Sequence, residues 1–288
     1  IAVAAAEGSQ NLGLLFGLVF VVAGLAFKVS AAPFHMWTPD VYEGAPTPVA
    51  AFFATAPKLA AMVLLARVLM EPFGPMTEQW QQVTMVMAVL SMAFGSFGAL
   101  MQSNIKRLMG YSSIGNMGYV LVGLSAGTAL GLWSVLFYMT LYVIGVAGAF
   151  AVILSMRRSE GMVERIEDLS GLSQTRPALA WSMTALMFSI GGMPFMIGFF
   201  GKLFVFYAAV QAGLIWLVIL AVIFSTISIA YYLRVIKVIW FDEPTGDFLP
   251  APTGAAIISR LAALIAVSMP VVGIIIALVV NAGAGIGG

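Results

Sequence analysis

Apolar residues fill this chain in long runs that short polar stretches separate. About 20 consecutive apolar residues are needed for a helix to span a bilayer. By that rule the sequence predicts eight spans, at residues 11–32, 47–69, 80–101, 107–126, 130–156, 178–211, 213–240 and 258–280. The pattern therefore predicts an all-α fold, a polytopic bundle of transmembrane helices.

Two of the predicted spans contain helix-breaking residues. The sixth is too long for one regular crossing and carries Gly191, Gly192 and Pro194, so we expect a break around 191–194. The first is followed by Pro33, and helix is expected to resume through 34–43. Broken helices are tolerated at membrane depth only where protein or a water-filled cavity surrounds them. Transporters use such breaks to build ion sites.

Composition agrees with a membrane protein and excludes several classes of function. Of 288 residues, 61% are hydrophobic and 9% are charged, whereas soluble domains are nearer a quarter charged. A net charge of +1 indicates no nucleic-acid partner and no acidic tail. The chain has no cysteine for disulfides or Cys-held clusters, one histidine, and no Gly-rich nucleotide loop. Any electron chemistry is therefore expected in partner chains. Because the chain starts at Ile1 without an initiator Met, we expect it to be part of something longer.

The distribution of basic residues predicts the orientation. Loops 33–46, 102–106, 157–177 and 241–257 share one face of the predicted topology. That face, with the helix ends beside it, carries Lys106, Arg107, Arg157, Arg158, Arg165, Arg176, Arg234, Lys237 and Arg260, and the opposite face only Arg67. Since Lys and Arg mark the cytoplasmic side, both chain ends are expected outside. The polar stretch 157–177 is expected to include a short amphipathic helix, as a solvated linker or as a partner-docking segment.

Three lysines lie inside apolar segments and are the first candidates for chemistry: Lys28, Lys58 and Lys202. A cation in hydrocarbon costs about 2.5 kcal/mol or more, so such residues usually face a bundle interior or a wet cavity. All twelve acids fall in loops or near helix ends. Lys58 lies about 16 Å into its predicted helix, too deep for easy snorkelling. A desolvated lysine can accept and release protons. The alternative is a structural lysine that bonds to backbone carbonyls or snorkels.

Polar side chains could complete a wet path between these lysines. They cluster in the fourth, fifth and seventh spans, at Ser112, Ser113, Asn116 and Tyr119, at Tyr138, Thr140 and Tyr142, and at Ser225, Thr226 and Ser228. Each one alone could equally be an interhelical hydrogen bond. His35 could pass protons or fix its loop. No metal site can be built from it, because other ligands at suitable spacing are missing.

Three stretches of the sequence resemble a known family. They read FKVSAAPFHMWTPDVYEGAPTPVAAFFATAPK at 27–58, NIKRLMGYSSIGNMGY at 104–119 and MPFMIGFFGK at 193–202. The run at 33–46 is the most specific. The chain resembles the subunit N family of NADH-quinone oxidoreductase (respiratory complex I), whose members are antiporter-like membrane subunits. The stretch 104–113 is similar to alphaproteobacterial and mitochondrial members.

The resemblance implies the second half of a fold of fourteen membrane helices with two inverted five-helix repeats. Residues 1–70 would end the first repeat, 71–240 would form the second, and 241–288 would hold a cytoplasmic loop and the final membrane helix.

The resemblance also implies a role for each candidate. Lys28 resembles the lysine of the first broken helix, Lys58 the connecting lysine, and Lys202 the lysine of the second broken helix. They would pass protons along a hydrated axis, with His35 as a possible relay. This chain would hold no cofactor, while NADH, FMN, iron–sulfur clusters and quinone would belong to partner subunits. Other antiporter-like complex I subunits and the lipid bilayer of a bacterial inner membrane would surround it.

The chain departs from the family at three points. The glutamate that pairs with the first lysine belongs to an earlier helix that this chain lacks. Asn116 stands where the family often has a histidine, and Asn cannot relay a proton by titrating. Pro194-Phe195 replaces a common Pro-Pro pair. Two other functions remain open: an Mrp-type cation/proton antiporter subunit, and a structural membrane spacer with an inactive axis.

Overall fold

The structure is a computed structural model that describes residues 12–159 and 161–268, and it is built almost entirely of helices. The helices are α1 Leu12–Val29, α2 Trp37–Gly44, α3 Thr47–Ala54, α4 Ala56–Met70, α5 Thr77–Leu100, α6 Ile105–Leu124, α7 Ala129–Leu154, α8 Leu172–Thr175, α9 Pro177–Gly191, α10 Ile197–Gln211, α11 Ile215–Phe241 and α12 Thr253–Val267. Strands β1 Arg157–Arg158 and β2 Gly161–Met162 form one antiparallel hairpin, and 3-10 turns lie at Gly74–Met76 and Ile166–Leu169. The predicted all-α membrane fold is confirmed.

Five segments of the described chain are long and apolar enough to cross a membrane: Leu12–Val29, Thr47–Met70, Gly74–Leu100, Ala129–Leu154 and Ile215–Phe241. Helices α9, α10 and α12 are apolar but shorter. The count of eight spans stays a prediction, and the end of the predicted span 258–280 lies outside the described residues.

The two predicted breaks are present. The first separates α1 from α2, and the second separates α9 from α10. In each gap a residue other than glycine adopts the left-handed region, Ser30 at φ 64° and Phe195 at φ 72°. Such conformations are unfavourable for L-residues and persist only where the surroundings enforce them. Ser91 of α5 helps to hold the first gap by accepting a 2.8 Å hydrogen bond from the Ala32 amide.

A third break was not predicted. The expected single helix over 47–69 is two helices, because Thr55 leaves the helical region at φ −118° and ψ −92°. Its hydroxyl donates to the Ala51 carbonyl at 2.8 Å, and Pro57 follows in the first turn of α4. Proline is accepted there because the first helical amides have no partner within the helix. The break places Lys58 at the beginning of α4.

The loop after α7 also differs from the prediction. Over 157–159 and 161–177 the chain forms the β-hairpin, a 3-10 turn and the four-residue α8 instead of an amphipathic surface helix. The Ile105 amide donates to the Glu164 carbonyl at 2.8 Å, and the Ile166 amide to the Ser103 carbonyl at 2.8 Å. These bonds attach the loop to the start of α6 on both sides of Arg165, and its own helical turns begin only at Ile166.

The same end of the bundle holds a network of charges. Lys106 is 2% exposed and makes a 2.6 Å ion pair with Glu164. Arg107 bridges Asp40 at 2.6 Å and Glu43 at 2.8 Å. These pairs connect α2 and the hairpin loop to the beginning of α6.

Helix α6 is the centre of the described bundle, since every residue in it except Arg107 and Tyr111 is buried. It packs against α2, α5, α7, α10 and α11. Its approach to α5 is closest at Gly95, where an added Cβ would lie 2.3 Å from the Gly115 nitrogen and 2.5 Å from its Cα. Small residues of this kind let membrane helices pack backbone to backbone.

Replacing Gly95 by Ala is expected to force α5 and α6 apart. The cost should be about 3 kcal/mol, the upper end for overpacking, since the clash is with backbone that no rotamer change relieves. The amount of protein extracted from membranes and its thermal inactivation in detergent measure the loss. Gly254→Ala is the matched control, because a Cβ there meets nothing within 4 Å. Equal stability of the two variants would contradict the close packing.

Candidate functional site

Lys58 is buried in the interior of the bundle, at 1% exposure. Its ammonium donates a short hydrogen bond to Ser113 Oγ and lies 5.2 Å from the centroid of the Tyr42 ring. Ser113 also accepts a 2.7 Å bond from the Tyr142 hydroxyl. Ser113 thus connects the lysine of α4 to a tyrosine of α7.

Lys202 is the second buried lysine, at 4% exposure. It donates to the Gly191 carbonyl at 2.8 Å and to Ser225 Oγ at 2.9 Å, and lies 4.4 Å from the centroid of the Tyr119 ring. The Gly191 carbonyl is available because α9 ends there and the last carbonyls of a helix have no partner within it. Gly192 makes room for the lysine: its φ is +82°, and a Cβ would lie 2.8 Å from Lys202 Cδ.

A cluster around Asn116 lies between the two lysines. Its Oδ1 accepts a 2.7 Å bond from the Tyr138 hydroxyl, and its Nδ2 donates to the Ser112 carbonyl at 2.8 Å. Ser112 Oγ is 2.6 Å from the Tyr232 hydroxyl. This cluster therefore joins side chains of α6, α7 and α11.

A further group of hydroxyls continues towards Lys202. Tyr119 and Ser228 are 3.2 Å apart, and Ser228 and Ser96 are 3.0 Å apart. Helical spacing explains the line, because residues three or four apart share a face. On α6 the polar face carries Ser112, Asn116 and Tyr119, and on α11 it carries Ser225, Ser228 and Tyr232.

A small cavity adjoins both the Lys58 group and the Asn116 cluster. Its volume is about 20 Å³, and Asn116, Tyr138 and Tyr142 line it together with Ser189. A cavity needs about 10–15 Å³ and polar walls to hold one water. One water there would connect the two groups. The Lys58 group, the Asn116 cluster and the hydroxyls beside Lys202 are together called the interior polar chain.

Lys28 and His35 lie outside this polar chain. Lys28 is exposed on the surface of the described part. His35 stacks on Phe94 with ring centroids 5.0 Å apart. Burial lowers the pKa of the His35 imidazole below its ordinary value, because desolvation disfavours the imidazolium.

Two of the hydroxyls that the sequence offered as candidates do not face the bundle interior. Thr140 and Thr226 are exposed and bond to carbonyls of their own helices, so they do not join the interior chain. The sequence analysis did not identify three interior hydroxyls, those of Tyr42, Ser96 and Tyr232. The position of Tyr232, four residues after Ser228 and seven after Ser225, was a usable signal. The contacts of Tyr42 and Ser96 depend on helix packing and left no such signal.

Nothing in the described part of the chain forms a metal site, since no three His, Asp or Glu side chains group closely enough there. The arrangement presents two ammonium groups, a neutral amide and a series of hydroxyls. The ammonium and hydroxyl groups of this arrangement can exchange protons.

Comparison with known proteins agrees with this geometry. Residues 1–228 match the family model described as NADH:quinone oxidoreductase/Mrp antiporter, TM. The NADH-quinone oxidoreductase subunit N of Maricaulis maris is 65% identical over 270 residues, which cover 93% of this chain and 56% of the relative. The subunit N 1 of Rhizobium meliloti is 58% identical, covering 84% and 51%. The chain thus spans about half the length of the curated relatives it matches.

Two solved structures are similar in fold. A chain of respiratory complex I from Thermus thermophilus matches with TM-score 0.79 and 33% identity, covering 90% of this chain and 57% of that one. A chain of the Mrp complex from Dietzia matches with TM-score 0.82 at 21% identity, covering 94% and 60%, a likeness of fold alone. On the family match and these relatives, the chain belongs to the NADH:quinone oxidoreductase/Mrp antiporter transmembrane family.

Proposed function

We propose that this chain belongs to a proton-translocating membrane subunit of NADH-quinone oxidoreductase. It moves protons along the interior polar chain while quinone reduction takes place in partner subunits. One observation carries the proposal: two buried lysines on different interrupted helices each bond to interior hydroxyls, and a cluster of polar side chains around Asn116 lies between them.

The physical argument starts from the cost of charge in an apolar slab. A buried ammonium needs polar partners or water. Lys58 has a single hydrogen-bond partner among the described residues, the Ser113 hydroxyl, and no carboxylate beside it. An ammonium so sparsely stabilised can release its proton to the neighbouring hydroxyls and water, and the neutral amine can take another.

The two lysines lie at opposite kinds of helix end, so the partial charges of the helix dipoles act on them with opposite sign. Lys58 lies in the first turn of α4, where the helix dipole disfavours a cation. Lys202 binds the carbonyl at the carboxyl end of α9, where the dipole favours one. The interrupted helices thereby give the two ends of the polar chain different electrostatic surroundings, which supports transfer of protons between them.

The proposal also covers the repeats, the orientation in the membrane and the location of the cofactors. Residues 1–70 end one antiporter-like repeat, 71–240 form the second, and 241–288 add a cytoplasmic loop and the last membrane helix. The basic end with Lys106 and Arg107 faces the cytoplasm of a bacterium, and both chain ends face the periplasm. Lys28 and His35 serve the same proton path at its α1 end. NADH, FMN, iron–sulfur clusters and quinone are bound by other subunits.

The sequence favours this function over its alternatives. The curated relatives at 65% and 58% identity are named as subunits of NADH-quinone oxidoreductase, whereas the Mrp complex is similar at 21%. An inactive spacer would have no need to keep two lysines buried, since an apolar side chain of similar volume would cost less.

Substitution of either buried lysine tests the proposal. Lys58→Met and Lys202→Met remove the titrating amine and retain most of the apolar volume. Coupled NADH:quinone activity and proton uptake by membrane vesicles should fall by about tenfold or more, because a positioned proton-transfer group contributes at least about a hundredfold. Lys237→Met is the control, since that lysine pairs with Asp242 at the surface. Normal proton yield from both assembled variants would refute the role of the lysines.

Ser113→Ala is a milder test of the same path. It removes the hydroxyl that accepts from both Lys58 and Tyr142. Stability of the solubilised complex should fall by about 1–3 kcal/mol, the cost of leaving a buried donor unpaired, and proton yield should fall with it. Ser155→Ala is the matched control, because its buried hydroxyl bonds only to the Ala151 carbonyl of its own helix. If Ser113→Ala behaves like the control, Ser113 is no link in the path.

A further inference from the structure

Lys106 is a buried cation that the proposed proton path does not use. It lies in the first turn of α6, where its ammonium makes two contacts. It forms the 2.6 Å ion pair with Glu164, and it donates a 2.8 Å hydrogen bond to the carbonyl of Ala45. Apolar side chains of similar volume often cost less than a buried ion pair. Stability alone therefore does not explain why this pair is buried.

The Ala45 carbonyl belongs to the corner between α2 and α3. Ala45 follows the last residue of α2, and Pro46 precedes the first residue of α3. A helix leaves its last carbonyls without partners inside the helix, and proline brings no amide hydrogen to the corner. The Lys106 ammonium supplies a donor to this carbonyl, so it holds the point where the two helices meet.

Both helices that leave this corner lead to Lys58. On α2, Tyr42 lies three residues before Ala45, and its ring centroid is 5.2 Å from the Lys58 ammonium. The same ring packs edge-on against Phe150 of α7. On the other side of the corner, α3 ends at the Thr55 break, and Lys58 follows in the first turn of α4. A shift of the corner would therefore move both the aromatic partner of Lys58 and the helix that leads to it.

Glu164 holds Lys106 from the side of the hairpin loop. The Glu164 carbonyl accepts a 2.8 Å hydrogen bond from the Ile105 amide, so its backbone is attached directly before Lys106. The side chains of Lys106 and Glu164 are 3% and 25% exposed, whereas the two carboxylates that bind Arg107 are 70% and 41% exposed. Exposed ion pairs contribute little, because water screens them. Of the two cations in this turn, Lys106 thus restrains α2 more strongly.

We propose that Lys106 is a positioning residue for the Lys58 site. Held by Glu164, its ammonium fixes the α2–α3 corner and thereby sets the Tyr42 ring and the break before Lys58 in the geometry that proton transfer requires. Small misplacements of reacting groups cost up to about a hundredfold in rate. The inference rests on the proposed function and adds to it a residue that bonds to no member of the interior polar chain in the described part.

Removal of the ammonium tests this role in the complete membrane-bound complex. Lys106→Met should lower the kcat of coupled NADH:quinone activity, per assembled complex, by about three- to tenfold, because the corner loses its anchor. The KM for quinone should stay unchanged, because the proposed function places quinone in other subunits. A purely structural role would lower the amount of complex on native gels and leave the kcat of the assembled complex unchanged.

Lys237→Met is the matched control, since that lysine pairs with Asp242 at the surface and does not bond to the corner. It should retain the wild-type kcat and KM.

A double variant tests whether Lys106 acts through the Lys58 site. Tyr42→Leu removes the ring beside the Lys58 ammonium and should lower kcat by itself. Tyr42→Leu combined with Lys106→Met should be no slower than the slower of the two single variants, because both act on one site. A double variant whose loss is the product of the two single losses would place the effect of Lys106 elsewhere and overturn the positioning role.

Glu164→Gln decides if Lys106→Met lowers the amount of complex, because it keeps the shape of the side chain and removes only its charge. Its kcat should fall about twofold or more, since a charged acceptor binds an ammonium about twice as strongly as a neutral one. Wild-type kcat in Glu164→Gln and in assembled Lys106→Met, beside an impaired Lys58→Met, would overturn the positioning role and leave the proposed function standing. A fully active Lys58→Met would instead remove the proposed function.

Discussion

The described bundle is organised by the cost of holding two ammonium groups away from water. Within the part of the chain that the structure describes, neither Lys58 nor Lys202 has a carboxylate partner, so each is stabilised by neutral oxygens and an aromatic face. Inside a membrane protein, oxygens that are free to accept these hydrogen bonds occur where helices end or carry hydroxyl side chains. The helix breaks and the polar faces of α6 and α11 both supply polar partners for the buried ammonium groups.

Each break leaves backbone groups without a partner within the helix at the depth where the helix ends. A continuous helix uses all its interior carbonyls, whereas one that ends at Gly191 leaves a carbonyl for Lys202. The break at Thr55 puts Lys58 at the opposite kind of helix end. These sites need rigid neighbours, and the near contact of Gly95 with Gly115 fixes α6 against α5. Tight packing and buried polarity therefore depend on each other.

The charged end of the bundle supports this interior from outside. Lys106 with Glu164, and Arg107 with Asp40 and Glu43, connect α2 and the hairpin loop to the first turn of α6. The same joint closes α2 and α6 around Thr38 and Tyr42.

The sequence by itself determined the helical membrane fold, the breaks near Pro33 and Pro194, and the lysines as candidates. These follow from local rules: apolar run length, the missing amide of proline, and the cost of charge in lipid. It did not reveal the break at Thr55, the β-hairpin after α7, or the separation of exposed Lys28 from buried Lys58 and Lys202. Nor did it show that Thr140 and Thr226 face outward while Tyr42 and Ser96 face inward. Only the tertiary structure decided these points, because which face of a uniformly apolar helix is buried depends on its neighbours and leaves no amphipathic trace in the chain.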